Sequence, residues 1–533
     1  MATVKELALP LSIIAVLLFG ILALVIARRK QRFQEDRQDS TEFFLTAKRS
    51  IPTFQIAWSF FAGATGSWVV FSLPAYAVTG YGYIGMMWYA FFTGLPLIVI
   101  AYVGDAIRNK YPHIMSWGDF ARFRYGVVVQ IYMTLIVLLN MGINLTAEYT
   151  AIGSLFSSIV GVNKLIPILI VGAVTMTYTA VGGLYVSVIT DQYQGMFTLL
   201  LVVITAIYMA ATVHMPNPSP PMTDDLAPNE AGWTSIVTMG VSMTAATFFS
   251  DAVWQRVWAS VDTRSLRRGA TVGALIATFV AFFFGFGGVL AEWLGYYNAA
   301  PEDINTCTNC DPNLAFFYLL TKGNTSTDVW IIVLVVILAA VMNESAVDAF
   351  QGALTDTVVA LASTTHTHKR FGYDHFPLTA ARLLVVVINV PIVIVALQGY
   401  NINSLYLITN MVTASAVLPM LLGLVRRLEP YIHGRQVLFA CLFSLLSIAT
   451  QGAIVSDGDF GAGIRRNFWE VYDWVAFVVA VVASVVGLFL AAAAEVGLRK
   501  VLGRPVKVVR RPATLGEGDV KGQLHEDFSA ATL

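Results

Sequence analysis

Residues 50–104 are SIPTFQIAWSFFAGATGSWVVFSLPAYAVTGYGYIGMMWYAFFTGLPLIVIAYVG, and this stretch contains no Asp, Glu, Lys or Arg. One crossing of a bilayer takes about 20 apolar residues. The stretch is therefore too long for one helix and long enough for two. The Tyr81–Gly82 pair near its centre is typical of a turn. The sequence thus predicts a transmembrane hairpin here.

The rest of the 533-residue chain has the same character, since it is 57% hydrophobic and only 12% charged. Soluble domains carry about 25% charged residues. Further uncharged or nearly uncharged stretches of spanning length raise the expected total to about thirteen transmembrane helices. They lie at 7–27, 127–157, 164–181, 187–213, 233–255, 270–297, 328–358, 376–399, 402–425, 434–454 and 474–496. We therefore expect an all-α polytopic membrane protein.

The basic residues indicate which loops face the cytoplasm. Lys and Arg collect in alternate connections, whereas the 214–232 loop contains neither. Short cytoplasmic loops are enriched in these residues, so we expect the N-terminus outside and the C-terminus in the cytoplasm. Cys307 and Cys310 then lie in an external loop, where a disulfide and a free pair are both open. The 33 basic residues balance the 33 acidic ones, which argues against a nucleic-acid partner.

The segment Ala62–Ser67, AGATGS, interrupts the first helix of the hairpin with small residues. Irregular backbone at membrane depth is tolerated where it lines a cavity, and its free carbonyls can bind an ion. One interpretation is a helix that unwinds in its middle. The other is close helix packing through small residues.

Three polar side chains, Asn343, Glu344 and Asp348, fall inside a long apolar span. Intramembrane carboxylates are costly and usually functional. Glu344 and Asp348 share one helix face, so they could line a cation path or hold a proton between them. The alternative for Asp348 is a hydrated position near the cytoplasmic end of the helix.

Two further carboxylates have more ordinary interpretations. Glu148 follows a charge-free run, and we expect it to cap the outer end of a tilted helix. Asp251 could pair with the nearby Arg256, or it could mark a second helix break after residues 248–250. The chain contains no nucleophile elbow, HExxH, Walker or kinase motif. We therefore expect no enzyme activity and no organic cofactor.

Two motifs resemble signatures of the sodium:solute symporter family. Residues 178–194 carry GGL followed by TDQYQ, similar to the family pattern between the fourth and fifth core helices. Residues 254–259 carry WQR with a following Ala, similar to the loop after the sixth core helix. The resemblance covers about residues 8–500. The signature positions are Gly182, Gly183, Asp191, Gln194, Gln255 and Arg256.

The resemblance implies two inverted five-helix repeats of the leucine-transporter type, with a binding site between the broken first and sixth core helices. On this basis the chain divides into six segments. They are 1–50 (external N-terminus, first transmembrane helix and basic loop), 51–213 (first repeat), 214–232 (external loop), 233–425 (second repeat), 426–498 (two C-terminal helices) and 499–533 (cytoplasmic tail).

The family's sodium site uses the first and eighth core helices. Carried over by position, it falls on Ala62, Thr65, Ala340, Asn343 and Glu344. Where the family usually has two adjacent Ser/Thr hydroxyls, this chain has Asn343–Glu344. Amide and carboxylate oxygens can bind sodium (Na⁺), so sodium is the expected coupling ion. The alternative is a proton (H⁺) carried by Glu344, because a carboxyl group removed from water binds a proton more readily.

Within the family, residues 403–407, 415–419 and 252–256 look most like the active urea and polyamine transporter branch. A flat amide could lie between aromatic rings, while hydroxyl groups and a carboxylate accept hydrogen bonds from its N–H groups. The candidate substrate contacts are Ser67, Trp68, Trp88, Tyr89, Thr247, Asp251 and Tyr406. Trp88 and Tyr89 could instead belong to an interfacial aromatic belt.

The expected function is cation-coupled symport of a small polar, nitrogen-containing solute such as urea, by alternating access in the plasma membrane. The expected partners are that solute, the coupling cation and the lipid bilayer. One alternative is proton-coupled symport of another small solute, such as an amino acid, a polyamine or a carboxylate. The other is a passive urea-type channel.

Overall fold

The computed structural model describes residues 4–31, 41–111, 114, 116–297, 311–321, 329–364, 378–425, 427–428 and 431–503. Cys307, Cys310 and most of the expected tail lie outside the described residues. Every regular element in the described ranges is helical. The α-helices are α1 (Val4–Gln31), α2 (Thr41–Thr46), α3 (Thr53–Ala64), α4 (Trp68–Tyr76), α5 (Gly82–Lys110), α6 (Trp117–Tyr125), α7 (Val127–Leu155), α8 (Leu165–Thr212), α9 (Glu230–Phe248), α10 (Asp251–Ala259), α11 (Thr263–Trp293), α12 (Ala315–Thr321), α13 (Val329–Thr364), α14 (Leu378–Leu397), α15 (Ile402–Leu422), α16 (Gly434–Val455), α17 (Phe460–Arg465) and α18 (Trp474–Val501).

Nine helical stretches in the described part of the chain are long and apolar enough to cross a membrane, and the bent pair α9–α10 adds a tenth. The stretch from Trp68 to Lys110 divides at a turn, and its first part continues α3 as one broken span. The 48-residue helix α8 divides at Gly183, and α14 is a shorter apolar helix. With these divisions the described helices account for the expected thirteen spans.

The predicted hairpin is confirmed. Gly80 and Gly82 have φ angles of +87° and +62°, a region that glycine adopts without steric cost. A Cβ atom on Gly82 would also lie 2.7 Å from the carbonyl oxygen of Leu226. The turn thus packs closely against the 213–229 connection, and glycine permits both the conformation and the contact.

Two spans are broken near their centres. Helix α3 ends at Ala64, Thr65 is extended (φ −118°, ψ 91°), and α4 resumes at Trp68. Helices α9 and α10 meet at a 60° bend between Phe248 and Asp251. The unwound interpretation of residues 62–67 is therefore confirmed, and at Asp251 the structure has the second break.

Gly183 breaks α8 with φ +61° and ψ −165°. A Cβ atom there would lie 2.3 Å from the Phe44 carbonyl oxygen, so α2 packs directly against this break. At the corresponding place in the predicted second repeat, Gly399 (φ +70°) joins α14 to α15. A glycine with a positive φ angle thus separates the fourth and fifth helices in both predicted repeats.

The basic connections contain structure that hydropathy does not predict. Helix α6 lies within the 108–124 loop, where the Ser116 side chain accepts a hydrogen bond from the Asp119 N–H. Its Trp117 ring stacks on Trp254 with centroids 4.9 Å apart. Asp262 caps the N-terminus of α11, which begins before the predicted span of 270–297. The Ser265 backbone and side chain donate hydrogen bonds to the Asp262 carboxylate, and these bonds lower its pKa.

Candidate transport site

Both helix breaks border one cavity of about 360 Å³. Gly63 and Ala64 line it from the end of α3, and Ser250 lines it from the α9–α10 break. From there the cavity extends to the end of the molecule that carries the hairpin turn and the exposed residue Asn401. A solute can therefore approach the two breaks from this end.

The cavity wall combines aromatic rings with uncharged polar groups. The rings are Trp68, Tyr76, Tyr81, Tyr89, Phe350, Tyr406, Trp469 and Tyr472. The polar groups are Thr79, Thr93, Asn140, Asn144, Ser242, Thr247, Ser250, Asn401, Asn403, Ser404, Thr409 and Asn410. Within the described part of the chain, Glu470 is the one charged lining residue, and Arg465 pairs with it at 2.6 Å.

A continuous set of ring contacts runs along one wall. Trp68 stacks on Tyr89 with centroids 5.8 Å apart and meets Tyr406 edge-on at 6.4 Å. Tyr89 meets Tyr76 edge-on at 5.3 Å, and Tyr76 stacks on Tyr81 at 3.9 Å. These rings connect the α3–α4 break with the hairpin turn, so they present a preformed aromatic surface to a ligand.

Four of the seven predicted substrate contacts line the cavity: Trp68, Tyr89, Thr247 and Tyr406. The other three do not. Trp88 packs against Phe91 and Phe92 at centroid distances of 6.2 Å, away from the cavity lining. Ser67 is fully buried behind the lining residue Trp68. Asp251 is also buried, and its Oδ2 accepts a hydrogen bond from the Thr357 hydroxyl instead of pairing with Arg256.

Ser67, Glu148 and Asn343 form a compact polar cluster at the α3–α4 break. The Ser67 N–H and hydroxyl donate to Glu148 Oε2 at 2.9 and 2.7 Å. The Asn343 amide donates to the same oxygen at 2.8 Å and to the Glu148 carbonyl oxygen at 2.9 Å. The expectation that Glu148 caps an outer helix end is therefore wrong, because Glu148 is completely buried among α4, α7 and α13. Its position inside a charge-free span was the available signal.

Glu344 and Asp348 are both completely buried on α13, so the hydrated alternative for Asp348 is wrong. Asp348 Oδ1 accepts a hydrogen bond from the Thr179 hydroxyl of α8. Gln194 faces the Glu344 carboxylate. Among the described residues, however, neither Glu344 oxygen takes part in a hydrogen bond of ordinary geometry. Glu344 thus presents two free carboxylate oxygens in the interior.

The other predicted cation ligands with described surroundings are also buried. Ala62 and Thr65 are buried at the end of α3, and Ala340 is buried one turn before Glu344 on α13. Carbonyl groups in the last turn of a helix lack intrahelical partners. The described residues contain no group of three or more His, Cys, Asp or Glu side chains that could hold a metal ion. A cation here would therefore need these carbonyl and amide oxygens in addition to a carboxylate.

Two of the signature residues, Asp191 and Arg256, form a buried network that joins four helices. Asp191 Oδ2 accepts hydrogen bonds from the Ser59 hydroxyl at 2.6 Å and from Arg256 Nη2 at 2.9 Å. Asp191 Oδ1 accepts one from the Ser345 hydroxyl at 2.7 Å. Arg256 Nε also donates to the Ser59 carbonyl oxygen at 2.8 Å. This network ties α3, α8, α10 and α13 together beneath the cavity.

A family comparison agrees with this arrangement, because the family model for the sodium:solute symporter family matches residues 43–429. The chain belongs to the sodium:solute symporter family. The chain is similar to spermidine transporter DUR31 of Candida albicans. The two sequences are 27% identical over 498 residues, and the alignment covers 91% of each protein.

Solved structures of transporters share the fold of this family member. A Na⁺-coupled sialic acid symporter in a substrate-bound outward-open state has a TM-score of 0.65 at 16% identity, covering 92% of this chain and 98% of that one. Mhp1, a nucleobase-cation-symport-1 family transporter in a closed conformation with bromovinylhydantoin bound, has a TM-score of 0.52 at 13% identity, covering 87% and 96%. The predicted fold of the leucine-transporter type, with inverted five-helix repeats, is confirmed. Family and fold are those of cation-coupled membrane transporters.

Proposed function

We propose that this protein is a cation-coupled symporter that imports a small nitrogen-containing solute, with polyamines as the favoured class. The observation that carries the proposal is the cavity at the two helix breaks, lined by rings and neutral polar groups. Its described lining contains no Lys, Arg or His, so a carboxylate solute would meet no basic side chain.

The chemistry of the wall favours a cation over a neutral solute. Ammonium groups are attracted to the faces of Trp and Tyr rings, by about 0.5–2 kcal/mol for each contact. The amide oxygens of Asn140, Asn144 and Asn410 offer acceptors for N–H donors along the same cavity. A flat amide such as urea could also lie between these rings, but it would leave much of the 360 Å³ unfilled. Urea is therefore the second candidate.

We propose that the coupling cation is sodium and that it binds beside the α3–α4 break. The ligands would be the Ala62 and Thr65 carbonyl groups together with Ala340, Asn343 and Glu344. Hard oxygen donors of this kind suit sodium, and the free oxygens of Glu344 would supply the negative charge. Proton coupling through Glu344 is the alternative.

With the N-terminus outside, the cavity opens to the exterior of the plasma membrane. Transport then requires that the cation favour this outward-open form by its differential affinity. Such coupling free energies are typically about 1–3 kcal/mol. A passive channel would need no such coupling, and it would equilibrate its solute without accumulating it.

The decisive experiment is uptake of labelled spermidine and labelled urea into vesicles with separately imposed sodium and pH gradients. The native chain and Glu344→Gln are compared, with Glu495→Gln as the matched control. Glu495 undergoes the same chemical change on α18, where its partners are Gln436 and Arg499.

We expect sodium-driven, uphill spermidine uptake that falls at least tenfold in Glu344→Gln and stays unchanged in Glu495→Gln. Uptake driven by the pH gradient and abolished in Glu344→Gln would replace sodium by a proton. Uptake that neither gradient drives uphill would overturn the symporter proposal, and urea uptake alone would overturn the polyamine assignment.

A further inference from the structure

The N-terminus of α4 is occupied by a carboxylate that belongs to the protein itself. Glu148 Oε2 accepts hydrogen bonds from the Ser67 N–H and hydroxyl at 2.9 and 2.7 Å. The first N–H groups of a helix have no intrahelical partner and carry a partial positive charge. At α4 the Val69 and Val70 N–H groups donate to the Gly66 and Ser67 carbonyl oxygens. Glu148 takes the Ser67 N–H in front of them, at the positive end of the helix.

Gly66 makes this arrangement possible. A Cβ atom at position 66 would lie 1.8 Å from Glu148 Oε1 and 2.9 Å from the Ala346 side chain. Any larger residue would push the carboxylate away from the break. The glycine that interrupts the helix thus also makes room for the internal anion.

The presence of Glu148 at the N-terminus of α4 affects which solutes can bind. In transporters with broken helices, the N-terminal ends of half-helices at the membrane midplane point at anionic groups of the substrate. Here that interaction is already made within the protein. A solute carboxylate could not bind at the α4 N-terminus, because Glu148 occupies it. The negative charge of Glu148 would also repel the solute carboxylate.

Two buried oxygens of the same cluster remain without partners in the described structure, Glu148 Oε1 and Asn343 Oδ1. The orientation of the Asn343 amide is determined by its surroundings, since Nδ2 contacts the Ser67 hydroxyl and two oxygens of Glu148. Buried acceptors almost always have a donor. Asn343 Oδ1 is the amide oxygen proposed above as a sodium ligand, so Glu148 Oε1 is the acceptor left for a solute N–H group, and the charge of Glu148 favours a protonated amine.

The cluster borders the cavity through the aromatic wall. Trp68 follows Ser67 directly and lines the cavity. Tyr406 packs edge-on against Trp68 and lines the same cavity. No ion pair involves Glu148 among the described residues, so its charge is available to a ligand.

We propose that Glu148 determines specificity: it replaces a substrate carboxylate at the α4 N-terminus and selects solutes that carry an amine without a carboxylate. This inference rests on the proposed function and names the substrate class within it. An amine in the cavity would bind at the Trp68–Tyr406 pair, which separates the buried cluster from the cavity. Amino acids are rejected because their carboxylate has no site.

The test compares putrescine with ornithine, two amines that differ by a single carboxylate. Binding to the purified full-length protein is measured directly, with labelled putrescine and labelled ornithine titrated separately. We expect the native chain to bind putrescine at least tenfold more tightly than ornithine. In Glu148→Ala, which vacates the helix N-terminus, we expect this ratio to fall at least tenfold, with ornithine binding gained and putrescine binding lost.

Glu148→Gln serves as the second variant, since its amide oxygen can still accept from the Ser67 N–H and preserve the fold. It should lose putrescine affinity without gaining ornithine affinity, whereas Glu495→Gln should match the native chain. An unchanged ratio in Glu148→Ala would overturn the inference, as would equal binding of both amines by the native chain. The proposed function would stand in either case if sodium-driven uptake persists, and it would fail only if that uptake is absent.

Discussion

Asp191 and Glu344 are both completely buried carboxylates on the neighbouring helices α8 and α13. Asp191 receives hydrogen bonds from Arg256, Ser59 and Ser345. Glu344 has no hydrogen bond of ordinary geometry in the described structure. Both side chains are thus buried carboxyl groups, and they differ in whether a cationic side chain of the protein accompanies them.

This difference separates a structural role from a functional one. Removing a carboxylate from water costs several kcal/mol unless a partner is supplied. The Arg256 guanidinium supplies it for Asp191, so that pair holds the helices together. For Glu344 the described residues supply no cationic partner, and the neutral Gln194 amide faces it instead. A mobile cation can therefore take the place of the missing partner. Glu148 lies between these cases, because the described residues give its carboxylate three hydrogen-bond donations and no cationic partner.

The largest effect should come from breaking the compensated pair. We expect Arg256→Met to lower the free energy of unfolding by about 3–5 kcal/mol, because Asp191 would remain buried without its cation. The thermal unfolding temperature of detergent-solubilised protein reports this change. The double variant Arg256→Met/Asp191→Asn should recover part of the loss, and a single variant as stable as the native chain would remove the distinction between the two carboxylates.

Replacing Glu344 should change the free energy of unfolding in the opposite direction. Without sodium, we expect Glu344→Gln to be more stable than the native chain by about 1–3 kcal/mol, since an unsatisfied buried charge is lost. Sodium should raise the unfolding temperature of the native chain by preferential binding and leave that of Glu344→Gln unchanged. Equal sodium stabilisation of both proteins would mean that Glu344 is no ligand.

A smaller effect is expected at Asp348, which lies four residues from Glu344 on the same helix face. Asp348→Asn can keep the hydrogen bond from Thr179 but loses the negative charge. At an effective dielectric constant of about 20, the loss of a nearby charge should weaken sodium binding by roughly tenfold. Sodium titration of the unfolding temperature measures this shift, and an unshifted titration would show that the two carboxylates act separately.

The smallest effect should appear at the half-exposed pair Arg499–Glu495 on α18. Exposed pairs at this spacing contribute about 0.3–0.5 kcal/mol. Glu495→Gln should therefore change the unfolding free energy by no more than this amount and leave sodium stabilisation intact. A larger loss would show that burial alone does not explain the effect at Asp191.

The spans could be predicted largely from local sequence, because bilayer thickness sets helix length and charged loops mark the ends, whereas each break was one of two interpretations that local sequence left open. The hairpin of 50–104 follows from this reasoning. Helix α6 was missed, since its mixed Arg and aromatic sequence has no hydropathy signal. The cavity contacts were predicted in part: Tyr89 faces the cavity, while Trp88, one helical position away, does not.

The sequence by itself determined the all-helical membrane-protein class, the family and the residue types available at the site, because these depend on composition and on motifs local in the chain. Only the tertiary structure decided which polar groups meet. Asp191 pairs with Arg256 across 65 positions, and Asn343 reaches Ser67 across 276. Such partners are brought together by helix packing, and burial then converts the presence or absence of a partner into several kcal/mol. All three residues are buried acids, and what distinguishes Glu344 and Glu148 from Asp191 is that Asp191 has a cationic partner, Arg256.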